Sequence, residues 1–191
     1  MTGKMFSDVL QRIDAANAAD PEIEMDGGTP CPAALLYGRR MSAELVRFCP
    51  DASEHMRIAA RGQHIERWKL TRASYPEGRE GYLAWRRDQG RYHAERVAGL
   101  MGQAGYGLDD CDRVARIIRK EGIKRDADVQ ALEDVACLVF LRWYAAEFAG
   151  GRDPEQVYRI VAKTARKMSA EGRVFARRLD LPAELMPALD V

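Results

Sequence analysis

Residues 127–149 form the segment that most restricts the fold of this chain, because no glycine or proline interrupts them and their centre is strongly apolar. The central residues 135–141, VACLVFL, would by themselves also suit a buried strand. Strands usually have roughly four to eight residues, so the length of the whole segment favours a helix. A helix that is apolar on most sides has to be buried among other elements. The sequence therefore predicts a central helix over residues 127–149.

Apolar side chains at spacings of three and four predict further helices. We predict helices over residues 4–18, 33–47, 51–70 and 80–104, a short helix opened by Asp109 or Asp110, a helix that begins at Asp153-Pro154, and a short helix after Pro182. Asp51 and Glu54 are expected to form a capping box at the start of the third helix. Residues 20–32 are rich in glycine and proline and are predicted to form a loop. The predicted fold is all-α, a single compact helical bundle of about seven to nine helices that forms one domain over residues 1–191.

The charge balance and the apolar content restrict the partners and the compartment. The chain has 30 basic and 29 acidic side chains, so no overall field attracts nucleic acid or an anionic membrane. No segment approaches the roughly 20 apolar residues that cross a bilayer, and the first residues lack the apolar centre of a signal peptide. The four cysteines are far apart and are expected to be reduced thiols. We therefore expect a cytoplasmic protein that binds neither membranes nor nucleic acid.

Two histidines lie on helix faces that are predicted to point inward. His64 shares a face with Trp68 and has arginines alongside, and His93 shares a stripe with Val97 and Leu100. Each histidine taken alone is better explained as a side chain at the edge of the core, hydrogen-bonded to a carboxylate or a carbonyl. A third polar residue, on the central helix, makes the pair more informative.

That third residue is Asp134, which shares an apolar helix face with Leu138 and Leu141. Because an unpaired buried charge is costly, Asp134 must meet a cation, a metal ion or hydrogen-bond donors, or stay protonated. Together with His64 and His93 it could bind one divalent metal ion such as Zn, Mn or Fe, with a position left open for a water molecule whose pKa the metal would lower. Such a site suits phosphoester hydrolysis. The alternative is a buried ion-pair network around Asp134.

The segment 67–86, RWKLTRASYPEGREGYLAWR, mixes arginines with aromatic residues. Guanidinium groups fork onto phosphate oxygens, and aromatic faces stack on bases. The segment is therefore a candidate wall for an anionic small molecule, such as a nucleotide or a phosphorylated metabolite. Its candidate contacts are Arg67, Trp68, Arg72, Tyr75, Arg79 and Arg86. The alternative is a solvated turn that has aromatic anchors.

Five longer strings are spread along nearly the whole chain. They are IDAANAADP, AARGQHIERW, SYPEGREGYLAWR, HAERVAGLM and QALEDVACLVFL. In these strings the chain resembles the family catalogued as domain of unknown function 4202. The family has no established activity, so the resemblance implies a shared fold and a shared site but names no reaction.

A looser similarity is to the HD-domain metal-dependent phosphohydrolases, all-helical proteins named after adjacent His and Asp ligands. His64 stands at the signature pair, His93 at a downstream histidine and Asp134 at the late aspartate. Ile65 occupies the place of the signature aspartate, and Lys120 stands where many relatives have a histidine. The similarity therefore implies an HD-like helical arrangement that holds one metal ion or none.

Three functional hypotheses follow from these features. The leading one is a metal-dependent hydrolase of a phosphorylated or nucleotide-like anionic small molecule, with His64, His93 and Asp134 as metal ligands and Glu66, Glu95 or Glu133 as spare ligand or general base. The second is a non-catalytic binding module for a nucleotide or a protein partner, in which the same polar cluster is structural. The third is a homo-oligomer subunit in which another chain completes the apolar face of residues 135–148.

Overall fold

Helices make up most of the structure, a computed structural model that describes residues 2–191 and the side chains of residues 3–191. The α-helices in that range are α1 (Thr2–Asn17), α2 (Ala33–Phe48), α3 (Glu54–Gly62), α4 (Gly78–Gln103), α5 (Leu108–Ile118), α6 (Ala127–Val139), α7 (Ala145–Ala149), α8 (Pro154–Ala165) and α9 (Ala170–Ala176). The strands β1 (Ile23–Asp26) and β2 (Thr29–Pro32) pair between α1 and α2, 3-10 turns cover Arg67–Lys69, Arg72–Ser74 and Ala183–Leu189, and a π-helical turn covers Phe140–Tyr144. The predicted all-α fold is confirmed.

The central helix α6 lies between two apolar cores. Val129, Leu132 and Val135 pack into the larger core, which α1 to α5 complete. Leu138 and Leu141 pack into the second core, with α8, α9 and the C-terminal 3-10 turn. Burial on both sides explains why this segment is apolar around most of its circumference. Neither α6 nor any other helix in residues 2–191 has the length and apolar character that crossing a membrane requires.

The predicted helix over residues 127–149 is correct in extent, but it is not one continuous α-helix. The π-helical turn Phe140–Tyr144 separates α6 from α7. A π turn adds a residue to one helical turn and so shifts the direction of the side chains that follow, and such turns are frequent at functional sites. Phe140 and Tyr144 line a cavity, whereas Leu141 is buried in the second core. No glycine or proline in this stretch marks the turn, so the sequence does not predict it.

The prediction of a loop over residues 20–32 is wrong for most of that segment. β1 and β2 form an antiparallel hairpin in which Asp26 faces Thr29. The connecting residues Gly27 and Gly28 have φ angles of 56° and 91°. Two positive φ angles in succession are what a tight hairpin turn of the primed type needs, and glycine adopts them without strain. The short strands contain prolines and lack strict apolar alternation, which is why the pattern suggested a loop.

The predicted helix over residues 51–70 ends much earlier than expected. The side chain of Ser53, not Asp51, caps α3 by accepting a hydrogen bond from the N–H of Met56 at 3.1 Å. The helix stops at Gly62, and turns carry the chain through residues 63–74. Glu66 has a φ angle of 51°, in the left-handed region, so a regular helix cannot continue through it. Contacts from other parts of the fold hold this conformation, and helical periodicity does not reveal them.

The other predicted helix starts agree to different degrees with the structure. Asp153 caps α8 as predicted, by accepting a hydrogen bond from the N–H of Gln156 at 3.1 Å. α5 begins after Gly107, so the predicted caps Asp109 and Asp110 lie inside its first turn instead. The segment after Pro182 forms a 3-10 helix.

Gly62 provides a test of the packing at the end of α3. A Cβ atom added to this residue would overlap Cγ2 of Val97 in α4 and would lie 3.4 Å from Cδ1 of Ile13 in α1. We expect Gly62→Ala to lower the free energy of unfolding by about 1–3 kcal/mol, because overpacking a close-packed core forces its neighbours to shift. Urea unfolding measures the change.

The matched control is Gly99→Ala in α4, where an added Cβ meets nothing within 4 Å. Alanine is favoured over glycine inside a helix by up to about 1 kcal/mol, so this variant should be at least as stable as wild type. Equal stability of Gly62→Ala and wild type would contradict the close approach of α3 and α4.

Candidate functional site

Two cavities meet beside the turn that follows α3. The large chamber has a volume of about 470 Å³ and is lined by Tyr37 of α2, Phe140, Tyr144, Cys137 and Lys167, among other residues. The small chamber has a volume of about 230 Å³, and Gln89, His93 and Arg119 contribute to its wall. The residues that line both chambers are Gln63, His64, Arg67, Arg86 and Lys120. The two chambers therefore form one continuous site, with His64 at the boundary.

His64 lies on the turn after α3, and its ring stacks on that of Tyr37. The two ring centroids are 4.4 Å apart with an interplanar angle of 16°, and the ring of His93 lies 5.7 Å from that of His64. Burial lowers the pKa of His64 well below its usual value, and the neighbouring Arg67 and His93 lower it further. His64 is therefore neutral at pH 7. The predicted approach of the two histidines is found.

His93 is buried on α4, with 2% of its surface exposed. Its Nδ1 lies 2.7 Å from the carbonyl oxygen of Ile65. A carbonyl only accepts hydrogen bonds, so Nδ1 carries the proton and Nε2 presents a lone pair. Nε2 is buried and has no hydrogen-bond partner in the protein. Burial lowers the pKa of His93 to about 4, so its ring is also neutral at pH 7.

Two glutamines add further acceptor atoms to the small chamber. Gln89 donates from Nε2 to the carbonyl oxygens of Arg67 at 3.1 Å and Leu70 at 2.7 Å. Because carbonyls take its amide protons, Oε1 of Gln89 remains an acceptor, and it has no partner in the protein. Oε1 of Gln63 is also buried without a partner. The small chamber thus contains three buried acceptors that the protein itself does not satisfy.

Cationic side chains dominate the small chamber. Those in its wall are Arg67, Arg86, Arg87, Arg119 and Lys120, and no aspartate or glutamate lines it. The guanidinium of Arg67 lies over the ring of Trp85, 5.0 Å from its centroid. Burial lowers the pKa of Arg67, and repulsion from the positive charge of the neighbouring Arg86 lowers it further. A bound anion would relieve that repulsion.

Asp134 does not join the two histidines, contrary to the arrangement that the sequence suggested. Its carboxylate accepts hydrogen bonds from the N–H and hydroxyl of Ser169, at 2.8 and 2.6 Å, and from Nε2 of Gln130 at 3.1 Å. Ser169 caps α9, so Asp134 fixes the start of that helix. Of the partners that the sequence analysis allowed for this buried acid, the structure provides hydrogen-bond donors. Across residues 2–191, no group of three or more His, Cys, Asp or Glu side chains is arranged to hold a metal ion.

The three glutamates considered as a base have different positions. Glu133 lines the large chamber, where it pairs with Lys120 and lies 3.8 Å from Nζ of Lys167. Glu95 is exposed on α4 and lines neither chamber. Glu66 lines neither chamber either, because its carboxylate accepts hydrogen bonds from Lys69, Tyr92 and Arg96 at 2.7–2.8 Å.

The contacts of Glu66 give it a structural role in the site. Its backbone N–H donates to Oδ1 of Asn17 at 2.9 Å, and its carboxylate is tied to Tyr92 and Arg96 of α4. The preceding residue, Ile65, supplies the carbonyl that orients His93. Glu66 therefore fixes the turn that carries His64 and acts as a positioning residue.

Only part of the predicted arginine and aromatic wall faces the chambers. Arg67 and Arg86 do, whereas Trp68, Arg72, Tyr75 and Arg79 line neither chamber. Arg72 instead donates to the carbonyl oxygen of Tyr75 at 3.0 Å, and the hydroxyl of Tyr75 donates to Asp88 at 3.1 Å. Arg72 and Tyr75 therefore stabilise the turn between α3 and α4, as in the alternative interpretation of segment 67–86.

Several site residues were not among the candidates from the sequence. They are Tyr37, Gln63, Gln89, Lys120, Phe140, Tyr144 and Lys167. The sequence could have indicated Gln63 and Gln89 as site residues, since Gln63 is next to His64 and Gln89 lies on the inward helix stripe of His93. A buried amide needs hydrogen-bond partners, as a buried carboxylate does. Lys120 has a φ angle of 58°, and such strain in a non-glycine residue is typical of functional sites, but only the structure shows it.

One known family matches most of this chain. The family described as "Domain of unknown function (DUF4202)" matches residues 7–189. The chain belongs to this family. No curated protein and no solved structure gives a significant match. The DUF4202 match covers every residue of the two chambers, so the site lies inside the family domain.

The role of Glu66 can be tested by the pH dependence of stability. Burial raises the pKa of Glu66, but the hydrogen bonds from Lys69, Arg96 and Tyr92 outweigh this effect and lower it overall. Its stabilising contribution is therefore present above the unfolded-state pKa of about 4.3 and is lost as the pH falls through the lower folded-state value. We expect Glu66→Gln to cost about 1–3 kcal/mol at pH 7, because a neutral amide replaces the charged acceptor.

The difference between wild type and Glu66→Gln should shrink below about pH 4. Chemical unfolding at a series of pH values measures it. Glu95→Gln, at an exposed position on α4, is the control and should stay within about 0.5 kcal/mol of wild type. A stability loss in Glu66→Gln that is the same at pH 3 and pH 7 would refute the charge-based role.

Proposed function

We propose that this DUF4202 protein binds an anionic, phosphorylated small molecule in the two chambers. The observation that carries the proposal is the small chamber, in whose wall arginine and lysine side chains occur without an aspartate or glutamate. Guanidinium groups bind phosphate oxygens through paired, charge-assisted hydrogen bonds, which are stronger than neutral ones. The chambers are also lined by side chains from several helices, and such a rigid frame lowers the entropic cost of binding.

Arg67 and Arg86 are the central cations of the proposed site, because they line both chambers and form no ion pair within residues 2–191. Lys120 also lines both chambers, but Glu133 partly neutralises it. The free charge is therefore concentrated at the two arginines. A phosphate in the small chamber would lie beside both of them and beside Lys120.

Arginine substitutions test the proposed anion site. We expect Arg67→Ala and Arg86→Ala each to weaken the binding of phosphorylated ligands by about tenfold or more, because each removes a charge-assisted hydrogen bond worth about 1.5–3 kcal/mol. Isothermal titration with inorganic phosphate, nucleoside monophosphates and sugar phosphates measures the affinities.

The matched control is Arg79→Ala, which removes an exposed arginine of α4 that lines neither chamber. This variant should bind as wild type does. Equal affinities in Arg86→Ala and Arg79→Ala would show that net charge alone, and not the chamber, attracts the anion.

A second candidate function is hydrolysis of such a ligand, as in the metal-dependent mechanism that the sequence suggested. The observation in its favour is the lone pair of His93 Nε2, which is buried beside the neutral ring of His64. The full ligand set does not fit, because Asp134 is bonded to Ser169 and Glu133 is paired with Lys120. Two imidazoles alone are fewer than the three protein ligands of a typical catalytic zinc site.

Asp134→Ala separates the metal-ligand role from the structural role. We expect this variant to lose about 1–3 kcal/mol of stability, because the N–H and hydroxyl of Ser169 lose their buried acceptor. Its metal content and its affinity for phosphate should equal those of wild type. Elemental analysis of untagged protein, with His93→Ala measured in parallel, provides the comparison. Metal present in wild type and missing from both variants would support the hydrolase and contradict the position of Asp134.

A further inference from the structure

The small chamber contains features that a phosphate alone does not satisfy. Nε2 of His93, Oε1 of Gln63 and Oε1 of Gln89 are buried there as acceptors without a partner in the protein. A fully ionised phosphate monoester offers only acceptor oxygens, and free phosphate carries at most two P–OH donors at about neutral pH, so neither can donate to all three. A ligand that replaces solvent at such atoms without reproducing the hydrogen bonds loses affinity. The chamber therefore suits a ligand that has an anionic group and several hydrogen-bond donors close to it.

The orientation of these acceptors is fixed by the fold. His93 uses Nδ1 to donate to the carbonyl of Ile65, and Gln89 uses its amide protons on the carbonyls of Arg67 and Leu70. Turning either side chain around would lose those hydrogen bonds, so neither can become a donor to the ligand. The requirement for donor groups on the ligand is thus built into the turn between α3 and α4.

The large chamber has a different chemistry. Tyr37, Phe140 and Tyr144 provide aromatic surface. Beside Lys167 and the three cations that it shares with the small chamber, the large chamber is also lined by the carboxylates of Glu22, Glu24 and Glu133. Carboxylates repel a phosphate, whereas aromatic side chains pack against a planar ring. Its volume of about 470 Å³ falls within the roughly 300–1,000 Å³ of typical ligand pockets. The phosphate therefore belongs in the small chamber and an uncharged ring in the large one.

We infer that the ligand is a nucleotide whose phosphate and sugar hydroxyls occupy the small chamber and whose base occupies the large chamber. This inference rests on the anion site proposed above. The cations bind the phosphate, and the 2′- and 3′-hydroxyls of the sugar donate their two protons to two of the three acceptors. The base packs against the aromatic residues on the far side of His64.

A ligand series tests the inference with the wild-type protein. The probes are inorganic phosphate, ribose 5-phosphate and adenosine 5′-monophosphate, measured by isothermal titration. We expect ribose 5-phosphate to bind about tenfold tighter than inorganic phosphate, because its hydroxyls satisfy the buried acceptors. Adenosine 5′-monophosphate should bind tighter again by about tenfold, because its base buries aromatic surface.

Gln63→Leu tests the acceptors themselves. Gln63 is the member of the three with the weakest other contacts, since its amide nitrogen lies 3.4 Å from the Tyr37 hydroxyl and 3.5 Å from Nε2 of His64. Removing its unsatisfied oxygen should raise the melting temperature of the free protein. The same change should weaken the binding of ribose 5-phosphate about tenfold more than that of inorganic phosphate. Gln11→Leu, at an exposed position of α1, is the matched control and should change neither affinity.

The outcomes separate this inference from the proposal on which it rests. If inorganic phosphate binds and depends on Arg86, but ribose 5-phosphate binds no tighter, the anion site stands and the inferred sugar contacts are wrong. If adenosine 5′-monophosphate binds no tighter than ribose 5-phosphate, the base does not occupy the large chamber, and the nucleotide is wrong. If none of the three probes binds, both the anion site and the inference fall.

Discussion

The turn formed by residues 63–66 is the constraint on which the site depends. Glu66 takes a left-handed backbone conformation that costs a non-glycine residue roughly 1–2 kcal/mol. Asn17 of α1 and Tyr92 and Arg96 of α4 compensate for this cost through hydrogen bonds to Glu66. The turn ends α3 early and exposes the carbonyl of Ile65 to His93. α3 thus ends at Gly62, and the turn places the ring of His64 5.7 Å from that of His93.

Glu133 and Asp134 show how a helix gives adjacent carboxylates different roles. Successive residues of an α-helix point about 100° apart, so α6 directs Glu133 into the large chamber and Asp134 towards α9. Glu133 offsets the charge of Lys120, and Glu121 and Asp88 pair with Arg119 and Arg87 without lining the small chamber. The positive charge without an ion-pair partner is therefore concentrated at Arg67 and Arg86, which line both chambers. Asp134 holds α9, and thus the second core, against the same central helix.

The sequence predicts the helices, because their apolar residues recur at regular spacings. It does not predict features that depend on contacts between residues far apart in the chain. The apolar character of residues 127–149 led to the central helix, and inward periodicity led to His64 and His93. The end of α3 could not be predicted, because the left-handed Glu66 is held by residues from α1 and α4. Asp134 was correctly expected to need partners, but a position on α6 does not say which neighbouring helix supplies them. For the same reason the sequence could not distinguish Arg67 from Arg72. Arg67 lines both chambers, whereas Arg72 bonds to the turn between α3 and α4.

The near-neutral charge of the whole chain conceals a local separation of charge. With 30 basic and 29 acidic side chains, the protein has no long-range field for nucleic acid, yet its small chamber is lined by cations alone among charged groups. Burial and that positive charge keep His64 and His93 neutral at pH 7, because a protonated ring there would be both desolvated and repelled. Neutral imidazoles and fixed amide oxygens add acceptors to a cationic wall. A site with both properties is suited to a phosphate ester that has hydroxyl groups nearby, because those hydroxyls supply more protons to the unpartnered acceptors than free phosphate does.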